Sequence, residues 1–229
     1  MVGIFSLLAK PAISAESISL KPFNAEFVAL RSGSDVGQAN LALTNIKANH
    51  FELIYRSKVS RFFLSDKRFE KTSFENQNNQ LVPITYEYKR TGTGPSKYLQ
   101  VQFNKSLGQI IIDDEQTLEW DGELDNQLFR IDLPSQLAKG VKKIGYDFIN
   151  YRGEKRHYEL EVIQEENLTL PYGNLMAYKV KINRESNKRV TFAWFAPSLN
   201  YNLVRLQQFK DGKEQGDMQL KHFSYISPK

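Results

Sequence analysis

The 229-residue chain contains no cysteine. Disulfide bonds, thiol nucleophiles, thiolate metal sites and iron–sulfur clusters are therefore excluded. A chain of this length buries roughly 70% of the surface that its unfolded form exposes, so its fold needs neither disulfides nor a metal. Glycine is also sparse, with 13 residues. That scarcity argues against a small barrel with glycine corners and against a low-complexity tail.

Histidine is scarce as well. The three residues, His50, His157 and His222, share no short metal-ligand spacing, so we predict no metal site and no cofactor. The sequence has no Gly-x-Ser-x-Gly elbow and no His-Glu-x-x-His motif, and it predicts no catalytic residue. An envelope hydrolase is the least favoured function, because it would require a buried His222 beside a carboxylate in a cleft.

Two motifs resemble ligand-binding loops but lack residues that such loops require. The segment "DGELDNQ" has acidic residues at alternate positions, as at the start of a calcium loop: Asp121, Glu123 and Asp125. Asn126 stands where such a loop requires Gly, and Asp132 stands where it requires the closing Glu, so the match fails at two positions. The segment "GTGPSK" lacks the Gly-Lys-Ser/Thr ending of a phosphate loop. Alternating strand residues follow it rather than a helix, so both motifs are predicted to be turns.

Charge of one sign is not concentrated along the chain. The 31 basic and 26 acidic residues give a net charge of +5 and are interspersed. The longest basic clusters are the pairs Lys142-Lys143, Lys155-Arg156 and Lys188-Arg189. This pattern is typical of a solvated surface, and it predicts no nucleic-acid partner.

Long hydrophobic runs are missing too. The apolar stretch Val2 to Ala9 is too short to span a bilayer, so no transmembrane segment is predicted in the mature chain. Pro11 and the small residues Ala12, Ser14 and Ala15 follow it, which is typical of the end of a secretory signal peptide. We predict a leader at residues 1–15, truncated because it lacks a basic n-region, and export to the periplasm of a Gram-negative bacterium. A short N-terminal core helix is the alternative.

Aromatic residues and period-two alternation are abundant. The chain has 15 Phe and 11 Tyr, which suit a pleated, half-buried surface. Ile84, Tyr86 and Tyr88 alternate with polar residues, and so do Leu99, Val101 and Phe103. The segment "TGTGPS" between the two runs predicts an antiparallel hairpin with one solvated face.

The same alternation predicts about a dozen strands in a single β-rich domain over residues 16–229. Further predicted strands are Phe23 to Leu30, Ala39 to Ile46, Phe51 to Ser60, Gln109 to Asp113, Ile144 to Tyr151, Arg156 to Gln164, Leu175 to Asn183, two within Arg189 to Gly216, and Met218 to Ile226. Their spacing predicts a large curved antiparallel meander, either an open half-barrel or barrel-like.

Two segments break this pattern. Asp125 to Gly140 has a helical apolar face, with Asp125 as a cap and Gly140 as a stop. Pro134 lies inside it, so one helix over residues 125–139 and two short turns meeting at a bend are both open. Arg61 to Lys71 is ambiguous between a helix and an irregular strand.

Several motifs resemble one family of exported bacterial proteins. They are the Leu-x-x-Pro-x-Gly turn that begins at Leu168, Trp194 to Pro197, Tyr201 to Arg205, and the opening hairpin from Phe23. Over residues 22–226 the chain resembles the domain of unknown function DUF3108. The resemblance implies a curved antiparallel sheet, related in fold to the half-barrels that carry lipoproteins across the periplasm. It implies no catalytic residue, and fold alone does not confer function.

Two non-catalytic functions remain open. The first is a binding module in which a concave apolar face, covered by the helical segment, holds a lipid or another hydrophobic ligand. The residues predicted to form this site are Tyr86, Tyr88, Val101, Phe103, Tyr178, Val180, Trp194 and His222. The alternative for these side chains is an ordinary core. The second function is a cell-envelope scaffold that pairs with a partner protein through a long exposed edge strand.

Overall fold

A computed structural model describes residues 20–184 and 188–226, and the predicted leader lies outside them. The strands are β1 Phe23–Arg31, β2 Ser34–Lys47, β3 His50–Arg61, β4 Leu64–Gln77, β5 Gln80–Gly92, β6 Lys97–Asn104, β7 Gln109–Ile112, β8 Gln116–Glu119, β9 Leu124–Asp125, β10 Lys143–Ile149, β11 Lys155–Leu170, β12 Gly173–Asn183, β13 Arg189–Ala196, β14 Asn202–Lys210 and β15 Lys213–Tyr225. One α-helix, α1 Phe129–Ala138, and a 3-10 helix, Pro197–Leu199, complete the described elements.

All fifteen strands form one sheet with two arms. Strands β1 to β8 form the N-terminal arm and β10 to β15 the C-terminal arm, and the arms meet where β1 pairs with β15. Every neighbouring pair is antiparallel except β9 and β10, which are parallel. The two edge strands, β8 and β9, are joined by residues 120–123 only, so the sheet must curve until its edges approach each other. The predicted open, curved meander is confirmed.

Tight two-residue turns connect many of the strands. Asn78 and Asn79 both have positive φ, at 52° and 66°, and so do Asp211 and Gly212, at 49° and 74°. Such turns match the twist of the flanking strands, and Asn, Asp and Gly tolerate the left-handed region. These residues therefore fix the strand register at each turn.

The register defines an inner face of the sheet. Ala29 pairs with Met218, which pairs with Leu206, and the series continues through Ala193 to Val180 in the C-terminal arm. Helix α1 packs on this face. Leu128 and Ile131 join the apolar cluster that includes Phe27, Leu43 and Leu53, while Phe129, Leu133 and Leu137 pack with Phe148, Leu160 and Val180.

The helical segment forms one helix that contains Pro134, rather than two turns. Asp125 Oδ1 accepts hydrogen bonds from the backbone N–H groups of Gln127 and Leu128, at 2.7 and 3.2 Å, and so holds the turn before the helix. Gly140 follows the helix with φ of 82°. The ambiguous segment Arg61 to Lys71 is a β-hairpin end, because β3 ends at Arg61 and β4 begins at Leu64.

Candidate ligand cavity

The inner face encloses a cavity of about 620 Å³ that opens at one end of the sheet. Residues of both arms line it, together with Asn126, Phe129 and Arg130 at the start of α1. The helix covers only part of the inner face, and the space beside it is the cavity. Its volume lies within the range of sites for small molecules.

Three transverse rows of inner residues run across the N-terminal arm. Successive inner residues of a strand are two apart, so the register assigns each to a row. The base row is Leu43, Leu53, Thr72, Tyr86 and Val101. The middle row is Leu41, Tyr55, Glu70, Tyr88 and Leu99. The mouth row is Ala39, Ser57, Arg68, Arg90 and Lys97. Polarity therefore rises from the base row to the mouth row.

Two tyrosines of the middle row narrow the space between the arms. Tyr55 on β3 reaches the opposite arm and donates a hydrogen bond to Met218 Sδ on β15 at 3.3 Å. Burial raises the pKa of Tyr55, so its hydroxyl remains a donor. Tyr88 on β5 meets Tyr151, which follows β10, with ring centroids 5.3 Å apart. The cavity is thus bounded by aromatic side chains below its mouth.

A buried carboxylate connects the base row to the helix start. Glu70 is 6% exposed and accepts hydrogen bonds from the Tyr86 hydroxyl at 2.7 Å and from Asn126 Nδ2 at 2.8 Å. Burial, followed by the charge of Glu70, raises the pKa of Tyr86 well above its usual value. Tyr86 therefore acts as a neutral donor that helps to satisfy a buried charge.

Asp125 is the second buried acid at the base. It is fully buried, and its Oδ1 also accepts a hydrogen bond from the Thr72 hydroxyl at 2.9 Å. Its Oδ2 is shielded from solvent and has no hydrogen-bond partner. Burial raises the pKa of Asp125 to about 7, although the hydrogen bonds to Oδ1 oppose that shift. This carboxyl therefore changes its charge near neutral pH.

An acid holds two arginines together in the mouth row. Asp66 accepts two hydrogen bonds from Arg68, at 3.0 and 3.1 Å, and one from Arg90 at 3.1 Å. Burial acts to raise the pKa of Asp66, but the two guanidinium groups outweigh burial and lower the pKa below its usual value. The carboxylate is therefore charged at neutral pH, and it fixes both guanidinium groups beside the opening.

Two further arginines line the cavity without a carboxylate partner among the described residues. Arg130 donates to Gln127 Oε1 at 3.1 Å, and its guanidinium carbon lies 5.8 Å from the ring centroids of both Tyr55 and Phe129. Arg184 donates to Thr191 Oγ1 at 3.2 Å and lies 5.1 Å from the ring centroid of Tyr158. The Nε atom of each is shielded from solvent and has no acceptor.

The cavity lining as a whole is cationic. Eight basic side chains line it against three acidic ones, a surplus of five positive charges. The basic residues are Arg31, Arg68, Arg90, Lys97, Arg130, Arg152, Arg184 and Arg189. The expectation from the sequence that basic residues form no patch is therefore wrong for the inner face. Residues distant in the chain are brought together there because strand alternation turns them inward.

The predicted site residues do not lie together around the cavity. Tyr86, Tyr88, Val101 and Phe103 lie in one apolar cluster of the N-terminal arm, and Val180 lies in the cluster under α1. Of the eight predicted residues, Tyr88 alone lines the cavity. Tyr178 is half-buried and stacks on Tyr201 with ring centroids 5.8 Å apart.

Trp194 and His222 lie away from the cavity. Trp194 is buried and points to the face opposite Phe195, where it donates a hydrogen bond to Glu166 and contacts Arg205 at 4.7 Å. His222 is exposed on β15. The buried His222 that a hydrolase would require is therefore not found.

Sequence reasoning missed the charged inner positions. The inner residues of β4 are Asp66, Arg68, Glu70, Thr72 and Phe74, so four of the five are polar. An alternation of apolar and polar residues is the usual sign of a strand, and here polar residues occupy both faces. The signal that could have found them is the run of charged residues at every second position, from Asp66 to Glu70.

The described residues contain neither a metal-binding cluster nor a membrane-spanning helix. Over residues 20–184 and 188–226, no group of three or more His, Cys, Asp or Glu side chains could hold a metal ion. Within the same ranges, no helix is long and apolar enough to cross a bilayer.

A family model for proteins of unknown function, DUF3108, matches residues 23–219. The chain belongs to the DUF3108 family. No curated protein matches it. Among solved structures, this DUF3108 chain is similar to a beta-barrel-like protein of the domain of unknown function DUF1849 from Brucella abortus. The TM-score is 0.63 and the identity 8%, over 92% of this chain and all of the other.

Two weaker similarities are to proteins of Bacteroides fragilis and Parabacteroides distasonis. One is a Bacteroides fragilis protein with a YmcC-like fold, assigned as exported, with a TM-score of 0.36, 9% identity, and coverage of 90% and 96% of the two chains. The other is a Parabacteroides distasonis protein assigned as a lipoprotein, with a TM-score of 0.33, 10% identity and the same coverage. Only the first similarity supports the fold, and none assigns a function.

Proposed function

We propose that this DUF3108 protein is a non-catalytic binding module that holds a lipid or another hydrophobic ligand in the cavity of the inner face. The observation that carries the proposal is a cavity of about 620 Å³, open at one end and bounded by Tyr55, Tyr88, Tyr158 and Phe129. Ligand sites are concave, and this cavity combines aromatic and aliphatic surface with charged side chains. An ordinary core would be close-packed instead.

The scaffold alternative has less support. Pairing with a partner's strand is favoured by a long, uncovered edge strand and a filled interior. The edge strands β8 and β9 have four and two residues, and the interior contains the cavity. A ligand-binding role therefore fits the sheet better than strand pairing does.

Location in the periplasm is part of the proposal. The apolar N-terminal stretch and the small residues before position 16 support export. Expression of the chain with and without residues 1–15 in a Gram-negative host, followed by osmotic-shock fractionation, tests this point. With a basic n-region added before residue 1, we expect the chain that keeps residues 1–15 in the periplasmic fraction at the mass of residues 16–229, and the chain without them in the cytoplasm. Recovery of uncleaved protein from the cytoplasm would contradict it.

Native mass spectrometry tests the binding role. Residues 16–229 are purified from the periplasm without detergent, and the sample is then extracted with organic solvent. We expect a co-purifying lipid or acyl species bound in a one-to-one ratio. A bare protein mass that does not change when a lipid extract is added would contradict the proposal.

A further inference from the structure

Resting on the proposed function, we propose that the ligand is an amphiphile with an anionic head group, and that Arg130 and Arg184 bind this group. Both side chains line the cavity, one from the start of α1 and one just after β12. Both are half-buried, and neither has a carboxylate partner among the described residues. They therefore place uncompensated positive charge inside the cavity.

The hydrogen bonding of these two arginines is incomplete. Each guanidinium carries five N–H donors and no acceptor, and the Nε–H of each is shielded from solvent without a partner. A buried donor without an acceptor is unfavourable. Phosphate and carboxylate oxygens are the acceptors that a guanidinium binds best, in a bidentate geometry. Each guanidinium makes one side-chain hydrogen bond among the described residues, to Gln127 or to Thr191, so its remaining Nη donors are open to the oxygens of an anionic head group in the cavity.

The surroundings hold both guanidinium groups in place. Arg184 is fixed by its bond to Thr191 and by the face of Tyr158. Arg130 lies between the rings of Tyr55 and Phe129. Contacts with aromatic faces restrict a guanidinium without neutralising its charge, so both groups are preorganised for an anion.

The rest of the lining favours an amphiphile over a free anion. Leu160, Ile182, Ala193, Phe195 and Leu206 line the C-terminal side of the same cavity. An inorganic ion would leave this apolar surface in contact with water, whereas an acyl chain would bury it. The arginines therefore recognise one part of the ligand and the apolar wall the other.

Three probes distinguish binding of the anionic head group from binding of the acyl chain. Dodecyl phosphate, dodecanol and inorganic phosphate are titrated into delipidated residues 16–229 by isothermal titration calorimetry at low ionic strength. We expect dodecyl phosphate to bind at least ten-fold more tightly than dodecanol, and inorganic phosphate to bind more weakly than either. The variants Arg184→Gln and Arg130→Gln should each lower the affinity for dodecyl phosphate about ten-fold or more, and leave that for dodecanol within two-fold.

The control is Arg56→Gln, on the outer face of β3, where Arg56 stacks on Phe69 at 5.1 Å. This variant should change neither the affinity for dodecyl phosphate nor the affinity for dodecanol. Equal binding of dodecyl phosphate and dodecanol, or variants that bind as the wild type does, would overturn the anionic head group but keep the proposed function. If neither amphiphile binds, the proposed function itself is wrong. Inorganic phosphate that binds as tightly as dodecyl phosphate would replace the amphiphile by a free anion.

We also infer, from an independent observation, that the tip of the β3–β4 hairpin inserts into an anionic lipid surface. Phe62, Phe63 and Leu64 form this tip, and they are 90%, 99% and 63% exposed. On the adjoining strands Lys58 pairs with Lys67, and both are exposed. Apolar residues with flanking lysines are typical of interfacial anchors, since the lysines add attraction to anionic lipid.

The position of the tip supports a lipid surface as its partner. Val59 and Asp66, on the same hairpin, line the cavity at its open end. Insertion of the tip would therefore bring the mouth of the cavity to the membrane, where an amphiphile can enter. This arrangement connects the exposed apolar tip with the binding site.

Vesicle sedimentation tests the insertion. Binding is compared on vesicles of phosphatidylglycerol with phosphatidylcholine and on vesicles of phosphatidylcholine alone. We expect binding to the anionic vesicles only, lowered at least ten-fold in Phe62→Ser/Phe63→Ser and reduced in Leu64→Ser. Leu107→Ser is the matched control, because Leu107 is 64% exposed in the β6–β7 turn, and it should bind as the wild type does. Equal loss in Leu107→Ser, equal binding to both vesicles, or no binding by the wild type would overturn the inference.

Discussion

On the four strands β3 to β6, the base row and the mouth row of the N-terminal arm have different chemistry. On each strand the two rows are four residues apart, which is about 13 Å. The base row carries Leu53, Thr72, Tyr86 and Val101, all buried, and the mouth row carries Ser57, Arg68, Arg90 and Lys97. One continuous inner face therefore contributes a core at one end and a charged opening at the other.

The difference indicates that stability and the proposed ligand recognition depend on different ends of one set of strands. Buried apolar groups stabilise the fold through transfer from water and close packing. Surface ion pairs such as Asp66 with Arg68 contribute little, with a median near 0–1 kcal/mol. Substitutions at the base should therefore lower stability, and substitutions at the mouth should lower ligand affinity.

The largest expected effect on the free energy of unfolding is at Phe74, the next inner residue of β4 after Thr72 of the base row. Phe74 is fully buried and stacks on Phe51 with ring centroids 5.6 Å apart. We expect Phe74→Ala to lower the free energy of unfolding by about 3–5 kcal/mol in urea denaturation. Phe69→Ala, on the outer face of the same strand, is the control and should cost less than half as much. Equal losses in the two variants would remove the distinction between the faces.

The next effect concerns the buried carboxyl of Asp125 and its pH dependence. Its pKa of about 7 in the folded protein lies above its ordinary value of 3.8, so the folded state binds more protons than the unfolded state between these two pH values. The contribution of Asp125 to stability should therefore be largest below about pH 4, fall as the pH rises to about 7 and stay constant above it, a change of roughly 4 kcal/mol from this group alone.

The variant Asp125→Asn isolates this titration. Asn keeps an acceptor for Thr72 and for the backbone N–H groups that precede α1, but carries no titrating group. We expect its stability to vary less with pH between pH 4 and 7 than that of the wild type, in urea titrations at fixed pH values. Parallel pH profiles for the two proteins would mean that Asp125 does not titrate in this range. The comparison of slopes holds even if the variant is less stable overall, since Glu70 and Tyr86 face Asp125 in both proteins.

A smaller effect is expected at the hydroxyl of Tyr86. Tyr86→Phe leaves the buried Glu70 with one donor fewer, which costs about 1–3 kcal/mol. Tyr98→Phe, where Tyr98 is 54% exposed on the adjacent strand, should be neutral. Thermal and urea unfolding of both variants measure the difference. A neutral Tyr86→Phe would show that Glu70 does not depend on this donor.

The smallest effects on stability are expected at the mouth. Arg90→Gln removes one of the two guanidinium groups on Asp66, yet leaves the bidentate pair with Arg68. We expect a change of less than about 1 kcal/mol in unfolding free energy. A loss as large as that of Phe74→Ala would show that the mouth is also part of the core, and the separation of the two rows would fail.

The base of the fold could be predicted from the sequence, whereas the mouth could not. Tyr86 and Tyr88 alternate with polar residues, so β5 and β6 were predicted with their inner faces and their hairpin. On β4 the inner positions Asp66, Arg68 and Glu70 are charged, so apolar alternation did not reveal the strand. Local patterns report burial, and they cannot report which buried positions surround a cavity.

Contacts between residues distant in the chain could not be predicted from the sequence either. The sequence predicts Trp194 on the concave face, but it lies on the opposite face from Phe195, next to a register shift between β13 and β14. The extra residue at this shift is Val204 of β14, which lies between the partners of Trp194 and Phe195, and no local sequence pattern predicts it. The meeting of Arg130 and Arg184 in one cavity depends on the pairing of β1 with β15, which connects residues almost 200 positions apart.

Native mass spectrometry of two proteins purified from the periplasm without detergent is the most direct test of the central claim. One is the wild-type chain, residues 16–229, and the other is the double variant Arg130→Gln/Arg184→Gln. The account predicts an anionic lipid on the wild-type protein and a folded, bare double variant. The same lipid on both proteins, or on neither, would contradict it.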